Sequence, residues 1–116
     1  MPVKKMKSKD YLEYLGGKRC VVSGRSKVDL HHEAIVRKYS GAMKSYFDFG
    51  ALPLDHDIHL NQRHAWGRLE FWRYYKREPV ELVIELIQNY IDEGREDIEL
   101  AENALEMVRE DNGYNT

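Results

Sequence analysis

Apolar residues recur at helical spacing in the C-terminal third of the chain. Leu82, Val83, Leu86, Ile87, Tyr90 and Ile91 form an i, i+3, i+4 stripe, which predicts a helix opened by Pro79 and ended by Gly94. A second stripe, Ile98, Ala101, Leu105 and Val108, predicts another helix from about 96 to 110 with an acidic outer face. Residues 111 to 116 are expected to fray beyond it. Near the N-terminus the run SKDYLEYL at 8–15 predicts a short helix capped by Ser8 or Asp10 and stopped by Gly16-Gly17.

The middle of the chain changes period. Arg19 to Val22 and Lys27 to His32 flank the polar turn Ser23-Gly24-Arg25-Ser26, the spacing of a β-hairpin. Residues 39–42, Tyr-Ser-Gly-Ala, read as loop. Ala51-Leu52-Pro53-Leu54 is apolar, but Pro53 lacks a ladder donor, which predicts an edge strand or strand entry. From about Ile58 to Lys76 the chain is free of proline and has glycine only at 67. Leu60, His64, Trp66, Leu69, Phe71, Trp72 and Tyr75 recur there at helical spacing. The expected class is α+β, a ββα core at about 19–76 with an N-terminal helix and a helical extension at about 79–110, in one domain over 1–116. A chain of 13.7 kDa has room for little more than one core.

Charge divides the chain. Residues 1–50 carry 11 Lys/Arg against 5 Asp/Glu, whereas 79–116 carry 2 against 11. A basic half favours a polyanion such as DNA. The acidic tail would repel that ligand, and it is expected to face away or to meet a protein partner or a second copy of the chain. Cys20 is the only cysteine, so neither an internal disulfide nor a four-cysteine zinc site is available. The N-terminal segment lacks the apolar run of a signal peptide, and no stretch approaches the roughly 20 apolar residues that span a bilayer. The expectation is a cytoplasmic protein with no membrane contact.

All five histidines, His31, His32, His56, His59 and His64, fall within one 34-residue window. Imidazole is the commonest protein metal ligand and the side chain best suited to move protons near neutral pH, so this confinement predicts a site. Adjacent strand residues point to opposite faces, so one member of the doublet can bind an ion while the other faces an attacking water. Arg37, Lys44, Arg63 and Arg68 flank the histidines as candidate phosphate contacts. Trp66, Phe71, Trp72 and Tyr75 could stack on bases, although aromatic residues at helical spacing are more often core.

The ordered set Cys20-Val-Val-Ser-Gly24, Val28-Asp-Leu-His31-His32, Asp48, Leu52-Pro-Leu54, His59, His64-Ala-Trp-Gly67 and Phe71 resembles the HNH, or His-Me finger, endonucleases. It is most similar to small phage-encoded HNH proteins, and the likeness covers roughly residues 19 to 75. The resemblance implies a ββα-metal fold and metal-dependent hydrolysis of DNA phosphodiesters to 5′-phosphate and 3′-hydroxyl ends, in the host cytoplasm if phage-encoded. It implies His32 as general base and His31, His59 and His64 as ligands of one divalent ion. Mg²⁺ or Mn²⁺ is expected, with Zn²⁺ or Ni²⁺ suited to three imidazoles. Lys44 and Asp48 match a K-x-x-x-D spacing before the Pro-Leu step.

The chain departs from this pattern in three places. Ser23 and Asp55 stand where relatives place zinc-binding cysteines, so no structural zinc is expected. Leu60 stands where relatives often carry a histidine. His59 and His64 are five residues apart rather than four, which on a regular helix separates them by about 140°. Either His59 lies in a non-helical lead-in, the favoured reading, or Asn61, on the face of His64, supplies the ligand instead. His56 fits a surface position in the Asp55-His56-Asp57 turn better than a ligand position. The alternative to an enzyme is a catalytically inactive HNH scaffold that binds a host protein or DNA.

Overall fold

Ser8 starts the first helix. In the computed structural model, which describes residues 4–114, its hydroxyl accepts the Tyr11 N–H at 3.0 Å, and α1 runs Lys9–Gly16 before Gly17 ends it. The capped terminus satisfies an N–H that has no partner within the helix.

The expected hairpin between 19–22 and 27–32 does not form. β1 (Val28–His32) instead pairs antiparallel with β2 (Ala51–Asp55), with Leu30 opposite Pro53 and His31 opposite Leu52. Residues 19–25 curl back on themselves: the Gly24 N–H donates to the Cys20 carbonyl and the Cys20 N–H to the Arg25 carbonyl, both at 2.9 Å. All five residues of β2 are buried, so its backbone needs internal partners, and β1 provides them. The Pro53 carbonyl accepts the Val21 N–H at 3.1 Å on the side away from β1. A strand residue directs its N–H and C=O to the same side, so proline at 53 removes no bond between the strands.

The strands are joined through 33–50, a loop of short 3-10 turns at Arg37–Tyr39, Gly41–Tyr46 and Asp48–Gly50. Phe47 bridges to the N-terminal segment: the Met6 N–H donates to the Tyr46 carbonyl at 2.8 Å, and the Asp48 N–H to the Met6 carbonyl at 3.0 Å. The loop closes at Gly50, where an added Cβ would lie 3.2 Å from the Glu33 carbonyl oxygen and 3.1 Å from the Phe47 ring. That close approach holds Glu33 beside β1.

The single helix expected from 58 to 76 is two helices. Asp55 Oδ1 accepts the N–H groups of Asp57 and Ile58 at 3.0 and 3.3 Å, so helix α2 begins earlier, at 56, and continues to 66. Within α2, the α-helical turns His56–Ile58 and His64–Trp66 flank a π-helical stretch, His59–Arg63. Gly67 then adopts φ +80° and ψ 168°, a conformation essentially restricted to glycine, and α3 (Arg68–Tyr75) sets off in a new direction.

The acidic C-terminal helices are α4 (Pro79–Asp92), with Glu78 accepting the Val80 N–H, and α5 (Ile98–Asp111). Their apolar faces join the core. Val83, Ile87, Tyr90, Ala101, Ala104 and Val108 belong to the same buried cluster as Tyr11, Leu15, Phe49, Leu52 and Leu54. Burying a side chain of the Leu or Val class contributes about 1.5–3 kcal/mol, so this face stabilises the site-bearing sheet directly. Arg95 grips Asp10 with two nitrogens, at 3.0 and 3.2 Å. The fraying expected from 111 onward is not seen over 111–114, where the Tyr114 N–H donates to the Arg109 carbonyl at 2.8 Å. Asp111 ends α5, and Asn112 Nδ2 donates to the Ile35 carbonyl at 3.0 Å; residues 115 and 116 lie outside the described chain. Among the described residues no helix is long and apolar enough to cross a membrane.

Candidate metal centre

Strand alternation distributes the chemistry of β1. Asp29 and His31 lie on one face, Glu33 continues that alternation just past the strand end, and Leu30 and His32 take the opposite face. His31 is buried and turned toward α2, where His59 and His64 meet it. His31 Nδ1 lies 3.1 Å from His59 Nε2, and His64 Nε2 lies 3.1 Å from the same atom. One donor atom from each ring falls within 4.8 Å of the others.

The π-helical stretch makes this meeting possible. The His64 N–H donates to the His59 carbonyl, an i→i+5 bond that widens the turn by one residue. Residues five apart then face the same way, as residues four apart do on a regular helix. The 140° separation expected from regular geometry is therefore absent, and His59 is helical rather than in a lead-in. Asn61, the alternative ligand, is exposed, and the trio does not require it.

Carboxylates behind the rings fix their protonation. His31 Nε2–H donates to Glu33 Oε2 at 3.2 Å, and His59 Nδ1–H donates to Asp29 Oδ2 at 3.1 Å. An ionised carboxylate only accepts, so each ring carries its proton on the outer nitrogen and directs the lone pair of the other at the shared point. Two lone pairs at 3.1 Å repel unless a proton or a cation lies between them. Tetrahedral coordination with metal–nitrogen bonds of about 2.0–2.1 Å places donors about 3.3 Å apart, close to the 3.1 Å that separates His59 from each of the other two. Burial pushes the His31 pKa below its ordinary value, against the pull of Glu33, which favours the neutral ring that a metal requires.

Glu33 is the anchor of this arrangement. Its side chain is 1% exposed; Arg63 grips it through Nε at 3.0 Å and Nη2 at 2.7 Å, and Trp72 Nε1–H donates to it at 2.8 Å. Burial alone would raise its pKa, but the hydrogen bonds from His31, Arg63 and Trp72 and the charge of Arg63 outweigh that and hold it well below the usual carboxylate range. Asp29 is likewise lowered, chiefly by its hydrogen bond from His59. His56 is exposed, as its turn position implies, and donates from Nδ1 to the same Asp29 oxygen at 2.8 Å.

His32 stands on the opposite face of β1, 21% exposed, with its Nε2–H donating to Asp48 Oδ1 at 3.0 Å. Asp48 is buried and also receives the Ser8 N–H at 2.8 Å and Lys7 Nζ at 3.0 Å. Desolvation would raise its pKa, yet these donors lower it, so the carboxylate stays charged and can stabilise a protonated His32. The geometry leaves the Nδ1 lone pair of His32 available to accept a proton.

The cations expected at phosphates sort differently. Arg63 is buried at 8% exposure and committed to Glu33, so its role is to orient the site rather than to meet a ligand. Arg37 is exposed and pairs with Asp111, with its backbone N–H at 2.7 Å from that carboxylate. Lys44 is half-buried in the Gly41–Tyr46 turn, and Arg68 lies 3.8 Å from Glu33. Cys20 is buried as a free thiol, in keeping with a packed apolar residue. Sequence reasoning missed Asp29 and Glu33, although their alternation with His31 in Asp-x-His-x-Glu was a legible signal. Comparison with protein-family models, curated proteins and solved structures finds no match to this chain.

Proposed function

We propose that the chain is a metal-dependent endonuclease of the ββα-metal kind that hydrolyses phosphodiester bonds in nucleic acid. The observation that carries this reading is the convergence of three imidazole nitrogens, two of them fixed by carboxylates, one residue along the strand from a His32–Asp48 pair. The ββα order of β1, β2 and α2, with histidines at the strand end and on the helix, supports it as well.

His31, His59 and His64 would hold one divalent ion. When bound, that ion supplies Lewis-acid stabilisation of charge on the phosphate and the leaving oxygen. Three imidazole nitrogens, two of them on rings backed by carboxylates, suit Zn²⁺, Ni²⁺ or Mn²⁺ better than Mg²⁺, which prefers oxygen ligands. His32 takes the proton from water at Nδ1, and Asp48 stabilises the resulting imidazolium as the carboxylate of a catalytic triad does. The hydroxide so formed attacks phosphorus as the P–O3′ bond breaks, and the departing 3′-oxygen takes a proton from solvent water, giving 5′-phosphate and 3′-hydroxyl ends.

Nicking of supercoiled plasmid and cleavage of labelled oligonucleotides, with each ion added to chelator-stripped protein, tests the proposal. Cleavage that requires the ion and falls at least about 100-fold in His32→Ala, as loss of a general base does, is the expected result. Ion-independent cleavage, or none on any nucleic acid, would overturn it.

A further inference from the structure

Helix α3 bears a groove of about 700 Å³ whose rim carries Arg68, Arg73, Lys76 and Arg77. Leu69, Trp72 and Pro79 add apolar lining, and Glu78 and Glu81 are the acidic residues that line it. Arg68 Nε lies 3.8 Å from Glu33 Oε1, on the carboxylate that orients His31. The groove therefore begins beside the three-histidine centre. Among the described residues Arg73 pairs only with exposed Glu70 on its own helix, at 3.4 Å, and Lys76 and Arg77 form no ion pair.

Exposed apolar side chains accompany this charge. Phe71 and Trp72 are buried and Tyr75 is half-buried, as core aromatics should be. Trp66, Leu69 and Tyr74 instead stand 40%, 69% and 67% exposed, with the Trp66 and Tyr74 rings 5.1 Å apart. Core packing does not account for them. At about 100° per residue, Arg73 and its partner Glu70 lie between Leu69 and Tyr74 on the helix surface, so charged and apolar groups alternate there.

We infer that this face of α3 binds a single-stranded polynucleotide, with phosphates on Arg68, Arg73, Lys76 and Arg77 and bases against Leu69 and the Trp66–Tyr74 step. The inference rests on the nuclease reading and adds the substrate class. A duplex offers phosphates but keeps its base faces stacked inside, which would leave the exposed aromatic surface unmatched. A single strand presents both, and stacking on exposed aromatics tolerates any sequence because every base has a π-face. A groove of this volume falls in the range that takes a small ligand, the scale of one or two nucleotides rather than of a duplex.

Fluorescence anisotropy in EDTA separates binding from cleavage. The probes are a labelled 15-nucleotide thymidine oligomer, its duplex with deoxyadenosine, and an abasic oligomer with the same phosphates. The single strand is expected to bind at least about tenfold tighter than either and to quench tryptophan emission; Trp66→Ala should weaken both the binding and the quench, leaving only the share of Trp72, whereas Trp66→Phe should keep the binding and lose the Trp66 share of the quench. Arg73→Ala/Arg77→Ala should reduce the log–log salt slope by about 0.7 per cation removed. Lys76→Gly tests the third cation without strain, because Lys76 has φ +54°. A uridine oligomer measured alongside identifies the sugar; tight binding of either strand supports the inference. Equal or tighter binding of the duplex, or an unchanged salt slope in the arginine variant, would overturn it. Cleavage of duplex with no contribution from this face would defeat the inference alone, whereas tight strand binding without cleavage would defeat the nuclease reading alone.

Discussion

Replacing Glu33 with glutamine should damage both the fold and the ion site, by separable amounts. The carboxylate is fully buried and accepts four hydrogen bonds, from His31, from Trp72 and twice from Arg63. Glutamine keeps the volume but removes the charge, leaving a guanidinium that is 8% exposed without its counter-ion. Removing one partner of a buried ion pair costs about 3–5 kcal/mol. Set against a typical total of about 5–15 kcal/mol, that is a large share of the stability, equivalent to a fall in Tm on the order of 10–20 °C. The amide can also donate to His31 Nε2, which would free that ring to take the wrong tautomer, and loss of such an outer partner weakens metal binding about 10–100-fold. Calorimetric unfolding and metal titration read the two effects separately. The double variant Glu33→Leu/Arg63→Met should recover much of the stability, because an apolar pair can replace a buried ion pair, but should leave the metal affinity low. A Glu33→Gln protein within about 1 kcal/mol of the parent, with undiminished metal affinity, would refute the role assigned to Glu33.

Deleting Leu60, an exposed residue of the π-helical stretch, should convert α2 to a regular helix with the two ligands four apart. Metal affinity should then stay within about tenfold; a loss beyond about 100-fold, read by titration, would contradict the geometric role of the π turn. Gly67→Ala should lower stability by about 1–3 kcal/mol in denaturant unfolding, because φ +80° with ψ 168° strains any side chain. Asp48 and Asp29 are held below their ordinary value of 3.8, so folding binds their protons less readily than the unfolded chain does. Their stabilisation is complete above about pH 4 and is lost as pH falls through the folded values. Denaturation midpoints from pH 7 to 3 should show this decline, and Asp48→Asn should flatten its own share.

Features fixed by neighbours in the chain were legible before the fold was known. Ser8 as a cap, Glu78-Pro79 as a helix start and the Leu82–Ile91 stripe each depend on contacts within a few residues. His31, His59 and His64 could be assigned to one centre because the confinement of histidine survives any detail of backbone geometry. Non-local pairing was harder to read. Arg19 to Val22 looked like the partner of β1 because it lies nearby, yet β2 presents the more buried strand and wins. The extra residue between His59 and His64 implied misalignment because regular helix geometry was assumed, and the backbone absorbed it in a π turn. Gly67 was visible as the one glycine in 58–76, and it marks the break between the helices. Arg63 resembled a phosphate contact because a cation in sequence carries no sign of its partner, and Glu33 lies 30 residues away.

Metal titration by calorimetry, with Zn²⁺ and Mn²⁺ added to chelator-stripped protein, tests the three-histidine centre most directly. One ion per chain is the predicted result, with thermal stability rising by about 2.7 kcal/mol when free ion reaches a hundredfold over Kd, and with both signals abolished in His59→Ala. Absence of binding, or binding that His59→Ala leaves unchanged, would contradict it.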